Sequence, residues 1–384
     1  MHLLIASDSF KDALEASEVC RAIKSGWQAG MPHATCTLLP MADGGEGFVD
    51  ILKGYLEEAR EVSIMVDDAL RRPRRATYLF VPSRKMAIIE IAQAVGLQRL
   101  SPEERNPMHT SSFGIGQMIA HALQRGATSI LLGLGGSATH DGGMGMAQAL
   151  GWRFLDQDGL ACQALGGHLG KVCEVLPPSN LPSEYASFEV ACDVRNPLFG
   201  PRGAAHVFAP QKGAGLEEVE ILESGLQHFF YRCTTQEQAK DRDGCWDEVS
   251  PGFGAAGGLG FGAAFFLGAT LRSGADLMLH YSQMEAHMKT CDLVITGEGS
   301  LDAQTMDGKL ILSICQMASR CGKPVIALCG SHSLEASALE QLGLRAAFSI
   351  SPGPCSLPEA LRHTVQNLER TAFHLARLMT TTPV

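Results

Sequence analysis

Six short segments of the chain gather acids, lysines and glycines in patterns that could do chemistry. Asp8, Ser9 and Lys11 follow an apolar run in ASDSFKDAL, and Asp43, Gly44, Gly45, Glu46 and Gly47 follow another in PMADGGEGF. Residues 130–151 read ILLGLGGSATHDGGMGMAQALG, with Ser137, Thr139, His140 and Asp141 set between two groups of glycines. SFEVACDVRNPLFGP supplies Asp193 and Asn196, HVFAPQKGAG supplies Gln211, Lys212 and Gly213, and ITGEGSLDAQT supplies Gly297, Glu298, Gly299 and Asp302. An acid beside a glycine is often only a helix cap or a turn. Repetition at the ends of several apolar runs, joined by two lysines, exceeds what capping needs.

Such a set suits phosphoryl transfer. Nucleotide phosphates need backbone amides and lysine, Mg²⁺ needs carboxylate oxygens and keeps several waters, and the acceptor hydroxyl needs an aspartate to take its proton. In residues 130–151 an apolar strand runs through Gly133, Gly135 and Gly136 into a helical pattern opened by Gly142, Gly143 and Gly145. Free N–H groups at the positive end of a helix dipole suit phosphate, with Asp141 placed beside them for a metal or a polar ligand group. A tight strand-to-helix turn with no ligand is the alternative. No Walker A loop exists, because Gly170-Lys171, Gly308-Lys309 and Gly322-Lys323 are each followed by an apolar residue or proline. Gly133, Gly135 and Ala138 also fit a loose dinucleotide fingerprint, with Asp156 about twenty residues on. An NAD-dependent dehydrogenase and a non-enzymatic ligand-binding protein are therefore the rival classes.

The elements that must position these groups can be outlined from composition and pattern. A length of 384 residues exceeds one ordinary core, which predicts two domains. Hydrophobic residues at 45% and charged residues at 19% describe a soluble globular protein. With 31 basic against 41 acidic residues and a net charge of −10, a nucleic-acid partner is not expected. The 12 cysteines are spread singly, without a C-x-x-C pair, and the N-terminus lacks a basic export signal. Both point to a reducing, cytoplasmic setting. Residues 250–271 carry no charge, yet their first half is glycine and alanine after Pro251, so they read as a buried glycine-rich loop entering a helix and not as a membrane span.

Alternation sets the fold class. Residues 3–6 form a strand, Val19, Ala22, Ile23 and Trp27 a helical stripe, and residues 37–40 a second strand. Ile115, Met118, Ile119, Ala122 and Leu123 mark a helix before a strand at Ile130. Toward the C-terminus, strands at 293–296, 325–329 and 346–350 alternate with a helix at 310–320 and a last helix after Pro358. Its stripe runs through Leu361, Val365, Leu368, Ala372 and Leu375. This is the pattern of an α/β protein with a Rossmann-like, doubly wound parallel sheet. The middle differs: VSIMV, ATYLFV and MAIIEIA, then residues 187–194 and 206–208, read as short strands of an inserted mixed α/β domain. The expected division is 1–61 with 286–384 for the Rossmann-like domain, to which 110–150 could belong, and 62–285 for the insert. Ligands in such proteins sit at strand C-termini and between domains.

Across nearly its whole length the sequence resembles the bacterial glycerate kinases of the first type. The blocks that carry the resemblance are ASDSFKDALEASEV, PMADGGEGFVDIL, IEIAQAVGL, PEERNP through TSSFG, GLGGSATHDGGMGMAQALG, EVACDVRNPLFGPRGAAHVFAPQKGA, GAAGGLGFG, ITGEGSLDAQTMDGK and KPVIALCGS, in the same order and spacing. The resemblance implies ATP- and Mg²⁺-dependent phosphorylation of D-glycerate in a cleft between two domains, with 2-phosphoglycerate the expected product and phosphorylation of the 3-hydroxyl or of a related hydroxy acid as the alternative. D-glycerate and ATP are the expected partners, and a homodimer is a possible assembly. Asp193 is the expected general base, with Asp8 second. Partial burial after an apolar strand would raise the basicity of Asp193. Lys11 and Lys212 would meet the glycerate carboxylate and the transferring phosphoryl group. Ser9, Asn196, Ser137 and Thr139 are expected at the substrate, Gly135, Gly136, Gly297, Gly299 and Glu298 at the nucleotide, and Asp43, Glu46, Asp141 and Asp302 at the metal. Three positions depart from the family pattern: Ser7 for proline, His140 for asparagine, and Ser300 for the arginine of a GEGRxD block. Serine cannot bind an anion bidentately as arginine does.

Overall fold

The computed structural model describes residues 1–42, 48–235, 247–302, 305 and 310–380. Asp43, Gly44, Gly45, Glu46 and Gly47 lie outside the described residues. In chain order the strands are β1 (His2–Ile5), β2 (Thr35–Leu38), β3 (Arg60–Asp67), β4 (Pro73–Val81), β5 (Met86–Glu90), β6 (Ser129–Gly133) and β7 (Arg153–Leu155). They continue as β8 (Glu174–Leu176), β9 (Ser187–Ala191), β10 (Thr270–Arg272), β11 (Leu293–Leu301), β12 (Val325–His332) and β13 (Ala346–Ser349). The chain forms two compact units: Met1–Asp43, Asp50–Tyr55 and Gly274–Val384 make the first, and Gly44–Val49 with Leu56–Ser273 the second.

The first unit is built on a five-stranded parallel sheet in the order β13-β12-β11-β1-β2. Chain direction across the sheet reverses between β1 and β11, the kind of switch point at which doubly wound folds bind ligands. Helix Ala16–Gly30 follows β1 because Val19, Ala22, Ile23 and Trp27 share one face, and all four are buried. They pack with Leu3, Ile5, Leu293, Ile295 and Leu328 of the sheet and Leu368 and Ala372 of the final helix. Each of the valine, leucine and isoleucine side chains among them contributes about 2 kcal/mol on leaving water, and the alanines less. Gly26 permits the close helix contact, since a Cβ there would lie 2.0 Å from the carbonyl oxygen of Glu369. Two expectations need correction. β2 spans Thr35–Leu38 and does not reach Pro40, although the N–H groups of Leu39 and Met41 still donate to the carbonyls of Ile5 and Ser7. The last helix is two helices, Leu357–Arg362 and Thr364–Met379, and the break leaves Val365 exposed while Thr364, Leu368, Ala372 and Leu375 turn inward.

The second unit holds a six-stranded sheet, β10-β9-β6-β5-β4-β3, in which β5, β6, β9 and β10 are parallel and β3 and β4 antiparallel. Helix Phe113–Gln124 and β6 belong here, which places residues 110–150 with this sheet and not with the first. β7 and β8 form a separate two-stranded ribbon. Residues 206–208 are not a strand but part of helix Ala204–Phe208. Ala205 and Ala209 make the small face that packs on Val219 and Leu222 of helix Leu216–Thr235, and this contact overrides the extended look of HVF. Helix Ala255–Leu267 is buried among Phe154, Phe229, Phe230 and Trp152. Among the described residues, no helix is long and apolar enough to cross a membrane.

Candidate active site

In the first unit the candidate residues collect where β1 ends beside β11, which runs on to Leu301 along β12 and carries Gly297, Glu298 and Gly299 within it. Leu3, Leu4 and Ile5 pair with Leu293, Val294 and Ile295, and beyond the strand the N–H of Asp8 donates to the carbonyl of Gly297 at 3.0 Å. Ser7 reinforces the junction by donating its hydroxyl to the same carbonyl at 3.0 Å. Gly297 is required there, because a Cβ would lie 2.3 Å from the carbonyl oxygen of Leu328. Asp8 and Ser9 are half-buried, and Oδ1 of Asp8 accepts the N–H of Ser9 at 2.6 Å. Lys11 is exposed on the turn closed by Phe10 and Leu14.

Glu298 and Asp302 are oriented by one residue that sequence reading did not single out. Buried Thr305 donates its hydroxyl to Glu298 Oε1 at 2.5 Å and its N–H to the carbonyl of Asp302 at 3.0 Å. Ser300 is exposed, 3.4 Å from both Asp302 Oδ2 and Ser331 Oγ. Among the described residues, no three His, Cys, Asp or Glu side chains close around a metal. Hard carboxylate oxygens at a sheet edge still fit Mg²⁺ delivered on phosphates, which needs only one or two protein carboxylates.

In the second unit the glycine loop after β6 divides into two halves with different work. The half from Asp141 to Met146 is a closed hydrogen-bond knot. Asp141 is fully buried, and its Oδ2 accepts the N–H and hydroxyl of Ser112 at 2.7 and 2.8 Å and the N–H of Gly145 at 3.1 Å. Its Oδ1 accepts the N–H of Gly143 at 3.2 Å. The N–H of Gly142 donates to the carbonyl of Gly257 at 3.1 Å, that of Met144 to the carbonyl of Asp141 at 2.8 Å, and that of Met146 to Ser112 Oγ at 2.9 Å. Two expectations fall here. The short helix Met144–Ala149 has no N-terminal amide left for phosphate, and the carboxylate of Asp141 is filled by four donors and not by a metal. A buried carboxylate is stable only with such donors, and the loop supplies them locally. Burial pushes the Asp141 carboxyl upward, while the bonds from Ser112, Gly145 and Gly143 pull it back. Gly257 makes the knot fit: at φ +70°, a Cβ would lie 2.2 Å from the carbonyl oxygen of Thr139.

The half from Gly135 to Thr139 is open. Its ends are pinned where Ala138 N–H donates to the carbonyl of Val95 and Leu97 N–H to that of Gly136, both at 2.8 Å. Among the described residues, the N–H groups of Gly135, Gly136 and Ser137 have no partner. Gly136 is exposed, with φ +67°. Lys212 comes up from inside, only 3% exposed, and its Nζ donates to Ser137 Oγ at 3.0 Å and to the carbonyl of Thr139 at 2.8 Å. Burial lowers its pKa from 10.5 to about 7, against the pull of Asp141. His140 is wholly buried, and among the described residues neither its ring nitrogens nor the hydroxyl of Thr139 have a partner. Burial and then the charge of Lys212 lower the His140 pKa to about 3.

Asp193 lies on the same sheet edge, just past β9, but it is exposed and not partly buried as expected, because the chain leaves the sheet after Ala191. Ser273, just past β10, donates to its Oδ1 at 3.4 Å. Asn196 donates its amide to the carbonyl of Arg202 at 2.7 Å, shaping its own loop, and Arg195 and Arg202 are exposed. That loop is anchored by Glu223, a residue the motifs did not mark. Its Oε1 accepts the N–H of Gly200 at 2.6 Å, and the side chain is only 7% exposed. The signal was available, since Glu223 shares the apolar stripe of Val219, Leu226 and Phe230. Asp156 takes no part: it closes the turn of the ribbon by accepting the N–H groups of Asp158 and Leu160, both at 2.9 Å. β7 pairs antiparallel with β8 in a separate ribbon and does not join the sheet of β6, so Asp156 does not end the second parallel strand that the dinucleotide fingerprint needs.

Comparison with known proteins follows the same lines. A profile of the glycerate kinase family matches residues 3–380. The glycerate kinase of Bacillus cereus is 41% identical over 377 residues, covering 98% of this chain and 97% of that protein. The glycerate 2-kinase of Escherichia coli is 38% identical over 378 residues, with 98% and 97% covered. A crystal structure described as a glycerate kinase 2 from Salmonella typhimurium LT2 superposes with a TM-score of 0.84 at 38% identity, over 99% of this chain and 98% of that one.

Proposed function

The chain belongs to the glycerate kinase family, and on that premise we propose that it transfers the terminal phosphoryl group of ATP to the 2-hydroxyl of D-glycerate, releasing ADP. The observation that carries this reading is the open loop tip at residues 135–137, where three amides without a partner among the described residues stand over a buried lysine. An array of donors without acceptors is suited to anionic oxygens, and both substrates bring them.

The remaining roles follow from placement. Asp193, solvent-accessible at the carboxyl edge of its sheet, takes the proton of the acceptor hydroxyl, with Asp8 as the second candidate. Lys11, exposed and mobile about its stem, meets an anionic group as a point charge. Ser9, Gly297 and Gly299 line the edge at the β1–β11 switch point, where backbone can approach a nucleotide closely. Glu298 and Asp302, both set by Thr305, would hold the Mg²⁺ of ATP, whose charge offsets that of the phosphates when bound. Asn196 orients the loop beside Asp193 through Arg202.

Regiochemistry is decided by coupling. The protein is incubated with D-glycerate and ATP–Mg²⁺, and the product is passed to enolase with and without a phosphoglycerate mutase. Signal with enolase alone is expected and identifies the 2-phosphate. Signal that needs the mutase assigns the 3-hydroxyl instead, and no signal in either arm refutes glycerate as the acceptor.

A further inference from the structure

The loop tip holds more donors than the protein satisfies. An ammonium has three N–H bonds, and two of those on Lys212 are taken by Ser137 Oγ and the carbonyl of Thr139. Because Ser137 Oγ accepts from Lys212, its own O–H must point elsewhere, and no acceptor for it exists among the described residues. The N–H groups of Gly135, Gly136 and Ser137 are in the same condition. Ser137 is 5% exposed and Lys212 3%, while Gly136 is open to solvent, so the tip faces outward with the cation behind it. A hydroxyl that accepts a charge-assisted hydrogen bond becomes a stronger donor.

From this geometry we propose that residues 135–137 form the seat of one anionic substrate oxygen, of a carboxylate or a phosphate, and that Lys212 serves it as a positioning residue through the Ser137 hydroxyl. The inference rests on the kinase reading and deepens it. Lys212 does not touch the ligand. It fixes which way the Ser137 hydroxyl points and holds the Thr139 carbonyl away from the seat, where a carbonyl oxygen would repel an anion. The N-terminus of helix Met144–Ala149 plays no part, since Asp141 and Ser112 have already taken its amides.

The test is kinetic. Ser137→Ala, Lys212→Met and the double variant are assayed with D-glycerate and ATP–Mg²⁺ varied in turn. Each single variant is expected to raise KM for one substrate by about tenfold or more, and the double variant to be no worse than the poorer single. The substrate whose KM moves tells whether the seat takes the glycerate carboxylate or a phosphate oxygen. Unchanged kinetics in Ser137→Ala, or effects that multiply in the double variant, overturn the proposal. A second measurement does not depend on turnover or on the folding of Lys212→Met: inorganic phosphate should raise the melting temperature of the wild type and not that of Ser137→Ala. Equal shifts, or none in the wild type, overturn the seat. A wild type that binds phosphate in this way but leaves D-glycerate untouched refutes the kinase reading alone.

Discussion

Replacing His140 by asparagine should make the protein less sensitive to acid. The imidazole is wholly buried, neither ring nitrogen has a partner among the described residues, and burial together with the charge of Lys212 holds its pKa at about 3 against an ordinary 6.5. The folded protein therefore keeps His140 neutral, while the unfolded chain takes up a proton below pH 6.5. Stability from this group is fully present above pH 6.5 and is lost as the pH falls toward 3. Near pH 5 the loss is about 2 kcal/mol, and by pH 3 about 4 kcal/mol. Both are large beside a total stability of about 5–15 kcal/mol. Asparagine does not titrate in this range. Urea unfolding of the wild type and His140→Asn at about pH 7.5 and pH 5 isolates the effect, because every other titrating group is common to both proteins. The wild type should lose about 2 kcal/mol more than the variant. Parallel losses would refute the buried neutral imidazole, as would a ring resonance in the folded protein that titrates near its ordinary pKa.

Lys212 works at the opposite end of the pH scale. Its pKa falls from 10.5 to about 7 on folding, so the unfolded chain holds the extra proton between those values and stability rises with pH across that window; relative to Lys212→Met, the wild type should gain about 2 kcal/mol between pH 7 and pH 9 in the same urea assay. Asp141→Asn turns an acceptor of four hydrogen bonds into a group that also donates, and should cost about 1–3 kcal/mol with a lowered melting temperature. Gly257→Ala places a Cβ 2.2 Å from the Thr139 carbonyl oxygen at a φ of +70°, and should destabilise by about 2–4 kcal/mol, read by calorimetry. Lys11→Ala, at an exposed turn, should leave the melting temperature unchanged while lowering kcat/KM about tenfold or more; near-full turnover would remove Lys11 from the site.

Much of the fold is legible where a single face of an element is buried. The stripe of Val19, Ala22, Ile23 and Trp27 predicts its helix because those residues have one environment, and all are inside. The apolar runs that become β1, β5, β6 and β11 are equally plain, since parallel strands are covered on both faces. Legibility fails where the deciding contact is distant in sequence. HVF reads as a strand, but Ala205 and Ala209 find Val219 and Leu222 and the segment coils. Residues 110–150 could join either sheet by pattern, and the pairing of Ser129–Gly133 with Met86–Glu90 on one side and Ser187–Ala191 on the other assigns them. The partial burial expected for Asp193 extrapolates an apolar strand by two residues past its end, and the chain has already left the sheet by then.

The glycine loop shows why the site is harder to read than the fold. Glycine, serine and aspartate at residues 133–145 predict free amides, but composition does not say which amides a neighbouring side chain has already bound. Ser112, some thirty residues upstream, supplies two hydrogen bonds to Asp141 and accepts a third from Met146, which turns half of an anion loop into a structural clasp. The open half is kept open by the same economy. Asp141 draws the amides of Gly143 and Gly145 inward, Gly257 accepts that of Gly142, and Lys212 takes the Thr139 carbonyl, so among the described residues none of these groups folds back over residues 135–137. Position along the motif therefore predicts function less well than hydrogen-bond accounting does. In this loop the residues whose polar groups are all engaged hold the shape, and those with unmatched donors are the ones left to be tested for a ligand.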